Sequence, residues 1–129
     1  MTQYLSGILT STPGNQLQAY TETISTIGSV ATTTYNINLA DANIFDITLN
    51  NNVTFTFINA PSSGILRSAT IILRQGTGGN KLATFTNAKY TDGIVPILST
   101  TAGQIDVLSY FTINGGAAWF GTFAMANVS

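Results

Sequence analysis

From Thr34 onward the chain alternates. In TTYNINLADANIFDITL the apolar side chains Tyr35, Ile37 and Leu39, then Phe45, Ile47 and Leu49, fall on every second residue, the period of a strand with one buried face. No segment of useful length carries a helical period. LADAN predicts a turn, and Asn50, Asn51 and Asn52 tolerate the left-handed backbone that a tight connection needs. Val53, Phe55 and Phe57 then resume the alternation, so a hairpin is expected there. A strand is expected around Ala69, Ile71 and Leu73, and another over KLATFT after the glycine turn at 76–80. Two more are expected at 104–113 and 117–124, around the strong turn signal Asn114-Gly115-Gly116. About seven or eight short hairpin-linked strands, with turn signals every 8 to 12 residues, predict an antiparallel β-sandwich or barrel over residues 25–129. No internal repeat is evident.

The first 24 residues read differently. MTQYLSGILTSTPGNQLQAYTETI has scattered apolar side chains, one acidic group and a Pro13-Gly14 break, the pattern of an extended N-terminal arm or an edge segment. Tyr4, Leu5, Ile8, Leu9, Leu17 and Tyr20 are more apolar than a solvated tail needs, so they are candidate contacts with a neighbouring subunit or a host surface. The stretch lacks both the basic n-region and the continuous apolar core of a secretory signal. The apolar run at 65–73 is broken by Arg67, Ser68 and Thr70 and is far short of the roughly 20 residues that span a bilayer. A soluble protein with no membrane partner is expected.

Composition narrows the partners. The chain has 129 residues, and a domain of that size buries about two thirds of its unfolded surface, enough for a core. Charged residues make up only 7% of it, against about 25% in an average domain. A surface so poor in charge is weakly protected against association, and oligomerisation is expected. Four basic residues and a net charge of −1 provide no stripe to neutralise a phosphate backbone, so nucleic acid is not an expected partner.

Catalysis lacks its usual groups. With no histidine and no cysteine, a serine or threonine nucleophile has no ordinary base, and thiolate metal sites cannot form. The five acidic residues, Glu22, Asp41, Asp46, Asp92 and Asp106, form no evident acid–base pair, and no calcium-loop spacing occurs. The GTGG stretch is followed by a strand, whereas a phosphate-binding glycine loop must open a helix. The chain is therefore read as a non-enzyme without cofactor or metal.

Asp106 stands in the apolar run QIDVLSYFTI. Alternation puts Ile105, Val107, Ser109, Phe111 and Ile113 on one strand face and Asp106, Leu108, Tyr110 and Thr112 on the other. The first face reads as core. Leu108 and Tyr110 would then lie outward, too apolar for solvent alone, as further candidate interface residues. Asp106 is expected to be structural, pairing with Arg67, Arg74, Lys81 or Lys89 or accepting backbone N–H bonds from a loop. Trp119 also reads as structural, in a core or an interface, although exposed aromatics such as Tyr35, Tyr90, Tyr110 and Trp119 would suit a sugar ring.

YTDGIVPILSTTAGQIDVLSYFTINGGAAWFG resembles a pattern of bacteriophage virion proteins: DG-x-x-P-x-L, then T-x-A-G-x-x-D-V-L-x-F, a glycine turn and W-x-G. ATIILRQGTGGNKLATF and NVTFTFINAPSSG are similar to earlier elements of the same family, so the resemblance covers roughly residues 30–124. It implies a virion structural protein with a β-sandwich of jelly-roll type, made in the host cytoplasm, and it brings no catalytic residue. The departures, Asn114 before the glycines and Phe120 after Trp119, give no ground for assuming a glycan site. A small chain with a sticky arm suits a homotrimeric capsid decoration, or cement, protein on the capsid surface that bridges major capsid protein subunits. The alternative within the family is a tail-fibre, spike or baseplate module that binds host polysaccharide.

Overall fold

The strands form where the alternation puts them, yet most pair differently from the hairpin expectation. A computed structural model describes residues 18–129. Its strands are β1 (Ile24–Val30), β2 (Thr34–Asn38), β3 (Ile44–Leu49), β4 (Val53–Ile58), β5 (Arg67–Gln75), β6 (Ala83–Phe85), β7 (Ala88–Lys89), β8 (Ile105–Thr112) and β9 (Trp119–Met125). The protein is all-β with two sheets, ordered β1-β3-β5-β8-β9-β7 and β2-β4-β6.

Consecutive strands from β1 to β6 alternate between the two sheets, and each pairs in parallel with the strand two places on. The chain thus winds as a flattened coil of three circuits. The expected hairpin of β3 and β4 is corrected, because the Asn50-Asn51-Asn52 stretch is a corner between sheets. Asn51 Nδ2 donates to Ala31 O at 2.9 Å in the circuit below, and Leu82 N donates to Asn52 Oδ1 at 2.9 Å from the circuit above. Among the described residues, antiparallel pairing, on which a jelly roll is built, is confined to β5–β8 and β8–β9.

A repeat is present after all. Ile24 pairs with Ile44 and Thr34 with Thr54, an interval of about 20 residues, the span of a small solenoid repeat, and the next interval is longer, from Ile44 to Thr70 and from Thr54 to Thr84. Like side chains stack on like in the three-stranded sheet. Tyr35, Phe55 and Phe85 stand in register facing inward, and Thr34, Thr54 and Thr84 in register facing out. Phe55 and Phe85 are stacked at 5.2 Å between ring centroids.

The two sheets enclose one hydrophobic core. Phe57 and Phe85 from the three-stranded sheet meet Tyr110 and Trp119 from the six-stranded sheet, with centroids 4.4 to 5.5 Å apart. Here the expected faces of β8 are reversed. Asp106, Leu108, Tyr110 and Thr112 are buried, while Phe111 and Ile113 are exposed and Ile105 and Val107 half-buried. Leu108 and Tyr110 are therefore core residues of the single chain and not interface residues. The physical reason is that β8 is apolar on both faces, and Asp106 is accommodated inside by donors that its neighbours in sequence do not reveal.

Candidate interaction surface

The segment between β7 and β8 runs through a single 3₁₀ turn, Thr91–Gly93, and then without regular structure up to β8. Irregular backbone next to a core needs partners for its polar groups, and two buried side chains supply them. The Asp106 carboxylate, 3% exposed, accepts Ser99 N–H at 2.7 Å, Ser99 Oγ–H at 2.6 Å and Asn127 N–H at 3.0 Å. Gln75 Nε2 donates to Ser99 O at 2.9 Å and to Lys81 O at 2.6 Å, and its Oε1 accepts Lys81 N–H. Ser99 is thus held from both sides. Each polar atom has a partner, and among the described residues no buried side-chain nitrogen or oxygen lacks one.

Among the described residues Asp106 takes no cationic partner. Arg74 pairs instead with Asp46 on the outer face of the six-stranded sheet, Nε to Oδ1 at 2.7 Å, which holds its guanidinium charged above the usual range. Arg67 donates to Asn43 Oδ1 and to the carbonyls of Leu39 and Ala42, bracing a corner of the coil. Gly79 fits the same packing: its φ is +62°, and a Cβ there would meet Thr100 O at 2.4 Å.

This framework presents apolar side chains to solvent. Ile94, Val95 and Ile97 are exposed, Ile97 at 91%, on a segment anchored at Ser99. Beside it lies a groove of about 410 Å³, walled by Tyr90, Ile94 and Pro96 on one side and by Gly121, Thr122 and Phe123 of β9 on the other. The groove continues into a second hollow of about 370 Å³ that reaches Lys89 and Phe120. Its floor depends on Gly121, where a Cβ would sit 2.6 Å from a ring carbon of both Tyr90 and Tyr110. Those two tyrosines share a hydroxyl hydrogen bond of 2.7 Å. Burial pushes both hydroxyls above the ordinary tyrosine pKa; the shared bond adds to the rise for Tyr110 and offsets part of it for Tyr90.

No protein family, curated protein or solved structure matches the chain.

The other residues singled out in the sequence do not gather at this groove. Trp119 is 1% exposed and packs against Phe57, so its indole cannot stack on an external sugar. Tyr20 is exposed. Tyr4, Leu5, Ile8, Leu9 and Leu17 lie outside the described residues. Among the described residues, no three His, Cys, Asp or Glu side chains cluster for a metal, and no helix is long and apolar enough to cross a membrane. Sequence reading missed the loop at 94–97. Its signal was the run IVPIL, whose apolar density is unusual for an exposed segment.

Proposed function

We propose that this chain is a bacteriophage virion structural protein and not an enzyme, namely a homotrimeric decoration protein that bridges major capsid protein subunits on the head surface. The observation that carries the reading is the exposed Ile94-Val95-Pro96-Ile97 segment, held by Asp106 and Gln75 and flanked by a groove. A rigid apolar ridge loses little entropy when a partner covers it. The resemblance of 90–121 to virion proteins supplies the class of partner, and the low charge suits a surface that is covered in the particle. In this role the two sheets act as the halves of a β-sandwich. Binding to the assembled shell and not to separated subunits would stabilise the shell by mass action. The test is to count copies per major capsid subunit in purified virions and to compare rupture temperatures with and without the protein. We expect near-equal copies and earlier rupture without it; equal rupture points would overturn the reading.

One observation favours the second reading, a fibre, spike or baseplate module for host polysaccharide. Three stacked circuits form a coil that can be lengthened by further circuits, as a shaft requires. In that case only a few copies per hundred capsid subunits would be found.

A further inference from the structure

We propose that copies of this chain join head to tail, the N-terminal segment 1–17 of one copy adding as a strand to the open edge of β9 in the next. It rests on the reading above only in expecting copies to associate.

The acceptor is an unfinished sheet edge. β7 covers β9 only at Trp119 and Phe120, through the pairs Ala88–Trp119 and Lys89–Phe120. Trp119 N–H points outward, to Asn87 O at 3.0 Å, and strand alternation sends the backbone groups of Gly121 and Phe123 the same way. No described strand lies beyond Phe120 to receive Phe123. The groove runs along this stretch, with the exposed 94–97 segment as its far wall. An open edge beside pockets for alternate side chains is the architecture of strand addition, in which main-chain bonds supply affinity and the pockets supply selectivity.

The donor is argued from length, charge and position. Residues 1–17 contain no Asp, Glu, Lys or Arg, and the edge from Gly121 to Met125 contains none either, so strand pairing itself desolvates no ionised side chain, while Asp92 and Lys89 line the rim of the groove. Tyr4, Leu5, Ile8 and Leu9 provide apolar side chains for the groove. The register is favourable as well. Ile24, where β1 begins, lies level with Ile44, Thr70, Ser109 and Thr122 across the six-stranded sheet. The chain therefore enters β1, at one edge of the sheet, at the level where the other edge is open, about 19 Å away at four strand spacings. Two different surfaces then meet at every contact, which gives closed rings where the rotation closes.

An extended segment of 17 residues spans about 55 Å, so the chain's own segment could also reach its own β9, and the experiment must separate the two. The natural chain has no cysteine, which permits one thiol per variant. Leu5→Cys chains and Thr122→Cys chains would be mixed in equal amounts and treated with a short bifunctional thiol cross-linker. We expect heterodimers of one chain of each kind, in large excess over either variant cross-linked alone. In parallel, deletion of residues 2–17 should reduce the particle mass seen by light scattering to that of one chain, with an unchanged thermal transition. A full-length chain that is monomeric, a deletion that leaves the mass unaltered, or cross-linking only within a chain carrying both substitutions would each overturn the proposal. Assembly that passes these tests in a protein absent from virions would sink the capsid reading alone.

Discussion

The two halves of the sheet system are held by different means. From β1 to β6 the chain winds in parallel circuits, and in the three-stranded sheet aromatic rests on aromatic a circuit away, as Tyr35, Phe55 and Phe85 do. Polar corners follow the same rule, with asparagines bonding from one circuit to the next. From Tyr90 to Met125 nothing repeats. There a long irregular segment is fixed by single buried groups, Asp106 and Gln75, whose partners come from distant positions. The comparison teaches where tolerance lies. Loss of one rung from a ladder leaves its neighbours stacked, whereas loss of the only carboxylate at a node leaves several donors without a partner.

The sharpest way to break this comparison is to attack the seam. Phe57 touches Phe85 within the coil and both Tyr110 and Trp119 outside it. Phe57→Ala should cost about 4 kcal/mol, from lost burial plus the cavity left behind. If the halves form one cooperative unit, far-UV dichroism and Trp119 fluorescence will shift together in denaturant. Two separate transitions would show that the coil and the antiparallel part unfold independently.

Next in size comes the node. Asp106→Ala should cost about 3 kcal/mol, because Ser99 N–H, Ser99 Oγ–H and Asn127 N–H lose a buried acceptor together. Asp106→Asn keeps one good acceptor oxygen and should cost about half of that. Amide exchange should accelerate over 94–104 and at Asn127, while protection in β1–β4 stays as in the parent. Uniform acceleration through the coil would mean that the carboxylate supports the whole fold and not one segment.

The same contrast governs what was legible beforehand. Alternation located the strands because burial on one face has period two whichever strand lies alongside. It could not reveal the pairing, since a parallel coil and a hairpin place the same side chains inward. The 20-residue repeat was obscured by the longer connection between β4 and β5, which stretches the second interval from Ile44 to Thr70. Only after Thr34, Thr54 and Thr84 are seen in register does TYN stand out as the relative of the two TFT stretches. For β8 the reading failed through its own logic. Ile105, Val107, Phe111 and Ile113 outweigh Leu108 and Tyr110 in hydropathy, and a carboxylate argues against a buried face. What reverses the balance is Ser99, seven residues away, and Asn127, twenty-one away. Neither is visible as a partner until the chain is folded. The interaction surface was hidden for the complementary reason, since IVPIL has the composition of a core strand but is held open to solvent by that same carboxylate.

The gentlest probe of the non-repeating half is alkaline pH. Burial, together with the shared hydroxyl hydrogen bond, raises the Tyr110 hydroxyl above its ordinary value, and burial does the same for Tyr90. For a group whose folded pKa lies above its unfolded one, the stabilisation is complete below the unfolded pKa, about 10 for tyrosine. It is lost as pH rises past that point, because the unfolded chain releases a proton that the folded chain retains. Unfolding free energy should therefore fall above pH 10 by about 1.4 kcal/mol per pH unit for Tyr110, with a smaller contribution in the same direction from the half-buried Tyr90. Tyr110→Phe removes the more deeply buried hydroxyl without emptying the site, so its alkaline slope should be shallower while stability at pH 7 changes little. An unaltered slope would place the titrating groups elsewhere. The pair beneath Gly121 would then contribute through packing and its shared hydrogen bond alone.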